Sequence, residues 1–154
     1  MKLIFLLLSF LLSSALADDW PQWFGPEHDG VWRETGIIDK FPDGGPKVLW
    51  RTPVNRGYAG PSVAGDRVFL MDRKALDTQE AKAKGARTGE KQGNERLLCL
   101  NAVTGKVIWE KAYDCPYTMS YSAGPRVTPL VDGDRVYTFG GEGNLVFSED
   151  EVAG

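Results

Sequence analysis

Pro61-Ser62-Val63-Ala64-Gly65-Asp66-Arg67-Val68-Phe69 and Pro129-Leu130-Val131-Asp132-Gly133-Asp134-Arg135-Val136-Tyr137 are two versions of one phrase. In each, a short β-type run leads into Gly-Asp-Arg and a second β-type run follows at once. Gly65-Asp66 and Gly133-Asp134 mark tight turns, because glycine supplies the positive φ that a short hairpin connection requires. A second correspondence precedes each hairpin, where Val48-Leu49-Trp50 matches Val107-Ile108-Trp109. Order and chemistry repeat along the chain, and spacing does not.

Working outward from the hairpins, short β-type runs at close spacing predict strands over Val48 to Val54, Pro61 to Val63, Arg67 to Met71, Arg96 to Asn101, Val107 to Tyr113, Arg126 to Val131, Arg135 to Phe139 and Asn144 to Phe147. The expected class is all-β. Residues 72–95 are dense in Lys, Arg, Glu, Gly and Gln and read as a polar insertion, a solvated excursion with a helical turn between Ala75 and Lys84. Without it the repeat is about 40 residues long, the size of one four-stranded blade of a β-propeller. Residues 47–147 then make about two such antiparallel blades. Residues 18–46 precede them as an irregular lead-in, too rich in Pro and Gly for a helix, with Trp20 and Trp23 expected to seek burial.

Between the hairpins stands Leu97-Leu98-Cys99-Leu100-Asn101-Ala102-Val103-Thr104-Gly105-Lys106-Val107-Ile108-Trp109. Asn101 ends a strand with an amide able to bond the turn backbone, Gly105 permits a left-handed residue, and Trp109 is placed to pack between neighbouring sheets. This pattern resembles the repeat of the PQQ-like (pyrroloquinoline quinone) β-propellers: an apolar strand, Asp or Asn with Ala, a Thr-Gly-Lys turn through Thr104, Gly105 and Lys106, and a strand bearing Trp. The family more often has Asp where Asn101 stands. Trp20-Pro21-Gln22-Trp23-Phe24-Gly25-Pro26 is similar to the lead-in of exported members, with Phe24 at a position usually held by Arg. The likeness runs from about Asp19 to Phe147. It implies a partial β-propeller in which Trp50 and Trp109 serve as blade-packing residues.

The resemblance does not carry the family's chemistry. Its dehydrogenases hold a quinone by Trp stacking, often with an adjacent disulfide-bonded cysteine pair, and a calcium ion bound by acidic and amide side chains. Cys99 and Cys115 are not adjacent, and no Glu, Asn and Asp constellation matches those calcium ligands. No catalytic, cofactor or metal residue is therefore assigned; PQQ and calcium are expected only in a longer member. Two cysteines and the single His28 are too few soft ligands for a metal site. The cysteines read as one buried side chain and one loop thiol. Glu27-His28-Asp29 has acid/base residue types but lies where a Gly-Pro turn expects polar residues anyway. Tyr113-Asp114-Cys115-Pro116-Tyr117, with Tyr121, is an aromatic loop that reads as rim packing before it reads as a ligand groove.

At the N-terminus, Met1-Lys2 precede an apolar run from Leu3 to Leu12 and a small-residue ending at Ala15 and Ala17. That is the layout of a secretory signal over residues 1–17, cleaved after Ala17, which predicts export to the periplasm or the extracellular space. Asp18 and Asp19 end the run short of the about 20 apolar residues a membrane span needs. Removing Lys2 leaves 17 basic against 21 acidic side chains, a poor surface for nucleic acid. At the other end, residues 148–154 leave the repeat pattern, as a premature stop or frame shift near Ser148 would produce. The expected function is a non-catalytic propeller module, a scaffold or protein-binding piece of a longer propeller. The expected partners are other blades, another protein, or a second copy through open sheet edges. Two alternatives stand beside it: the N-terminal part of a quinone-dependent dehydrogenase, and a gene fragment without function.

Overall fold

The computed structural model describes residues 18–85, 91–120 and 123–148; residues 1–17, which the sequence reads as a signal, Tyr121 and residues 149–154 lie outside it. Seven strands and one short helix are present: β1 (Ser62–Ala64), β2 (Arg67–Ala75), α1 (Thr78–Ala83), β3 (Gly93–Asn101), β4 (Val107–Asp114), β5 (Leu130–Asp132), β6 (Arg135–Phe139) and β7 (Leu145–Ser148). They form two antiparallel meanders, a four-stranded sheet in the order β1-β2-β3-β4 and a three-stranded sheet in the order β5-β6-β7. Of the eight expected strands, seven form among the described residues, four in one sheet and three in the other.

Both hairpins turn at the glycines of the repeated phrase. Gly65 has φ 54° and Gly133 φ 60°, and Val63 pairs with Val68 as Val131 pairs with Val136. Side chains on paired residues of an antiparallel sheet share a face, so the first sheet divides into cross-strand rows. One face carries Phe69, Cys99 and Trp109 in a row, then Met71, Leu97 and Lys111, then Arg73, Glu95 and Tyr113. This face meets Val131 and Val136 of the second sheet in one apolar core. Phe69, Met71, Leu97, Cys99 and Val136 are almost fully buried there.

Four expectations need correction. No strand forms over Val48 to Val54: the segment is extended, but no neighbouring strand bonds it. Side chains dock it instead, as described below. The segment read as an insertion begins and ends in strand, since β2 runs on to Ala75 and β3 starts at Gly93. Its polar residues are not solvated throughout, because Asp72, Arg73 and Glu95 are buried. Only α1 and its flanks leave the sheet. Asp77 caps that helix, its carboxylate accepting from Gln79 and Glu80 while Glu80 bonds back to the Asp77 amide. The strand expected over Arg126 to Val131 starts only at Leu130, because Pro129 has no N–H to give a ladder. Finally, Ser148 still belongs to β7 and is buried, so the pattern persists one residue further than the sequence indicates.

The lead-in has neither helix nor named strand, and it straps the two sheets together. Trp20 and Val63 exchange backbone bonds of 2.9 Å, and the Val131 amide donates to Pro21 O at 2.8 Å. Of the two tryptophans expected to be buried, only Trp20 is half-buried; Trp23 is 59% exposed and leans on Phe24.

Candidate functional site

The repeat motif folds into a compact turn between β3 and β4. Asn101 Oδ1 accepts from the amides of Val103 and Thr104, at 3.1 and 2.8 Å, and from Thr104 Oγ1 at 3.0 Å. Such an Asx turn satisfies backbone donors that have no ladder partner. Gly105, at φ 68°, donates to Asn101 O. The Trp50 indole lies over it, and its Nε1–H donates to Ala102 O at 2.9 Å. Thr52 Oγ1 donates to Gly105 O, and the Asn55 amide to Asp72 Oδ2 at 2.7 Å. The extended segment is thus held from the β3–β4 turn to the middle of the sheet's second face. The Ala102 amide donates to Asp66 O, which joins this turn to the first hairpin, and Asp19 accepts from the Gly65 amide. Lys106 is exposed. Trp109 reaches the other face, with its ring 6.1 Å from Phe69. Gly133 and Asp134 lie exposed at the turn of the second sheet.

A second cluster was not legible in the sequence. Glu95, fully buried, accepts hydrogen bonds from the hydroxyls of Tyr113 and Tyr117 and from the Gly141 amide at 2.8 Å. Gly141 sits in the β6–β7 turn, so one carboxylate clasps the two sheets. Arg73 lies in the same cross-strand row and places its guanidinium 4.1 Å from the centre of the Tyr117 ring. Burial, reinforced by the hydrogen bonds to Glu95 and its charge, pushes both tyrosine hydroxyls well above the ordinary tyrosine range. Gly140 has no room for a side chain, because a Cβ there would overlap Glu95 and Tyr113. Tyr113 and Tyr117 of the aromatic loop thus fill the junction of the sheets, and Tyr121 lies outside the described residues. Both cysteines are buried, where one was expected to be a loop thiol; Cys115 lies beside Asn144, and burial pushes its thiol up to about 11. Cys99 and Cys115 are not joined by a disulfide.

On the opposite face, buried Asp72 takes Arg96 through two bonds of 2.8 and 2.6 Å, and Arg96 also reaches Glu110 at 2.8 Å. These charges are committed to one another and to Asn55. His28 is exposed at φ 56°, and its neighbour Asp29 pairs with Arg33 rather than with the histidine. Among the described residues, no group of three or more His, Cys, Asp or Glu could hold a metal ion, and no helix is long and apolar enough to cross a membrane.

The most distinctive surface is the far side of the second sheet. Leu130, Tyr137 and Phe147 form one cross-strand row, Phe139 and Leu145 the next. Leu145 is 67% and Phe147 57% exposed. By the sequence repeat, Leu130, Tyr137 and Phe139 stand where Ser62, Phe69 and Met71 stand in the first sheet. Those three are buried, Phe69 and Met71 in the core shared with the second sheet. The first sheet presents this face and the second receives it on its opposite face, at Val131, Val136 and Thr138. Among the described residues, β7 pairs in the ladder with β6 alone, while the buried Ser148 hydroxyl at its end accepts from Lys111 Nζ of β4 at 2.8 Å. No family model, curated protein or solved structure matches the chain.

Proposed function

We propose that this chain is an exported, non-catalytic β-propeller repeat module, two stacked units of a longer propeller that acts as scaffold or protein-binding surface. One observation carries the reading. Two equivalent sheets stack front to back, and the front of the second, an apolar row equivalent to a buried one, is left open. Front-to-back stacking of four-stranded meanders is the geometry of propeller blades. An exposed apolar face on a soluble chain marks a contact surface. The resemblance of residues 97–109 to the PQQ-like repeat supports the same reading. The polar clusters support the non-catalytic part of it, since Glu95, Asp72 and Arg96 are spent on holding sheets and segments together.

The test is to read the transcript through and beyond the Gly154 codon in every frame. Further Thr-Gly-Lys-x-x-Trp units are expected, each ahead of another hairpin; their absence would contradict the proposal. Export is checked separately by N-terminal sequencing of the secreted product, which should begin at Asp18.

A further inference from the structure

Apart from the open sheet face, the described surface holds a cleft of about 770 Å³ where the lead-in folds over the first hairpin. That volume suits a small organic ligand. Its walls are largely apolar and include Trp20, Val31, Trp32 and Val63. Its charged lining is one-sided. Asp18, Asp19, Glu27 and Glu34 face it, against the single cation Arg33.

The hydrogen bonds sharpen that imbalance. Arg33 is already engaged by Asp29, which does not line the cleft, through both guanidinium nitrogens. Glu34 accepts from the Asp18 amide, and Asp19 from the Gly65 amide. The carboxylates of Asp18 and Glu27 accept no hydrogen bond among the described residues, and Glu27 meets Arg33 only through the longer-range attraction of their charges. Where processing after Ala17 frees the Asp18 amine, the new ammonium lands on Glu34, and Asp18, Asp19 and Glu27 still outnumber it. An apolar cleft with aromatic walls and surplus negative charge complements a cation that carries apolar bulk, because an indole face attracts cations and the carboxylates add long-range attraction.

We infer that this cleft binds a small organic cation of the quaternary ammonium class, with its charged head between Trp32 and the carboxylates. The site rests on the lead-in and first hairpin alone, whatever packs on the second sheet.

The experiment titrates the full chain with benzyltrimethylammonium and, in parallel, with neutral benzyl alcohol, followed by calorimetry. Saturable binding of the cation is expected, weakened about tenfold or more by Trp32→Ala or by Glu27→Gln and reduced by added salt. Both residues are exposed, so neither substitution removes core packing, and an unchanged unfolding temperature documents that. Absence of saturable binding, equal binding of the neutral alcohol, or binding indifferent to both substitutions would each overturn the inference.

Discussion

Trp50 lies across Gly105 so closely that a methyl group on the glycine would overlap the indole, whose N–H is bonded to Ala102 O. Gly105 is thus needed twice, for its positive φ and for the absence of a side chain. Gly65 is needed only for the first reason, since a Cβ there would meet open space. Gly65→Ala should cost about 1 to 2 kcal/mol, the penalty of a left-handed alanine. Gly105→Ala should cost visibly more, by about another 1 kcal/mol or above, because Trp50 must move. Denaturant unfolding of the two variants gives the comparison, and only Gly105→Ala should alter tryptophan fluorescence in the folded state.

The clasp at Glu95 predicts a strong and localised effect. Glu95→Ala leaves the Tyr113 and Tyr117 hydroxyls and the Gly141 amide without their acceptor, which should cost at least about 3 kcal/mol. Hydrogen exchange should show β5 to β7 losing protection before β2 and β3. Tyr117→Phe removes one donor and should cost about 1 kcal/mol.

Those tyrosines also set an alkaline limit. Their folded-state pKa values are raised, so their contribution is complete below the unfolded tyrosine value of about 10 and is lost as pH rises above it. Stability should be flat across neutral pH and fall once pH exceeds that value. Tyrosinate absorbance from this pair should appear together with unfolding, not before it.

At the acid end, the Arg33 guanidinium beside Asp29 holds its carboxyl at about 2. The contribution of this exposed pair to lead-in order is present above the unfolded aspartate value of about 3.9 and is lost as pH falls through the folded one. A carbon-detected NMR titration of Asp29 should give a midpoint near the lowered value, and Arg33→Gln should raise it toward the ordinary one, with the Val31 amide bond holding back part of the shift.

Asp72 anchors the extended segment as well as Arg96. Asp72→Ala leaves the mostly buried Arg96 guanidinium with Glu110 as its remaining carboxylate and frees the Asn55 amide, at a cost of about 3 kcal/mol. The Asn55 amide should then exchange quickly.

What the sequence revealed and what it hid follow from one physical distinction. The hairpins were readable because their turns need glycine and their strands alternate. The Asn101 to Gly105 turn was readable because each residue type answers a local backbone demand. Val48 to Val54 has the composition of a strand and is extended, yet whether an extended chain joins a ladder depends on a neighbour that its own residues do not name. Asp72, Arg73 and Glu95 have the composition of a solvated excursion, since charged residues are rarely buried without partners. Their partners, Arg96, Tyr117 and Gly141, come from other strands and other turns, and no local pattern announces them.

The open face of the second sheet is tested most directly by sedimentation of the full chain over a range of concentrations, alone and as the Leu145→Asp/Phe147→Asp variant. An open contact face requires that the unaltered chain associate as concentration rises and that the variant, equally folded by circular dichroism, stay monomeric. A chain that remains a cooperatively unfolding monomer at every concentration, with β7 amides as protected as those of β3, would contradict it.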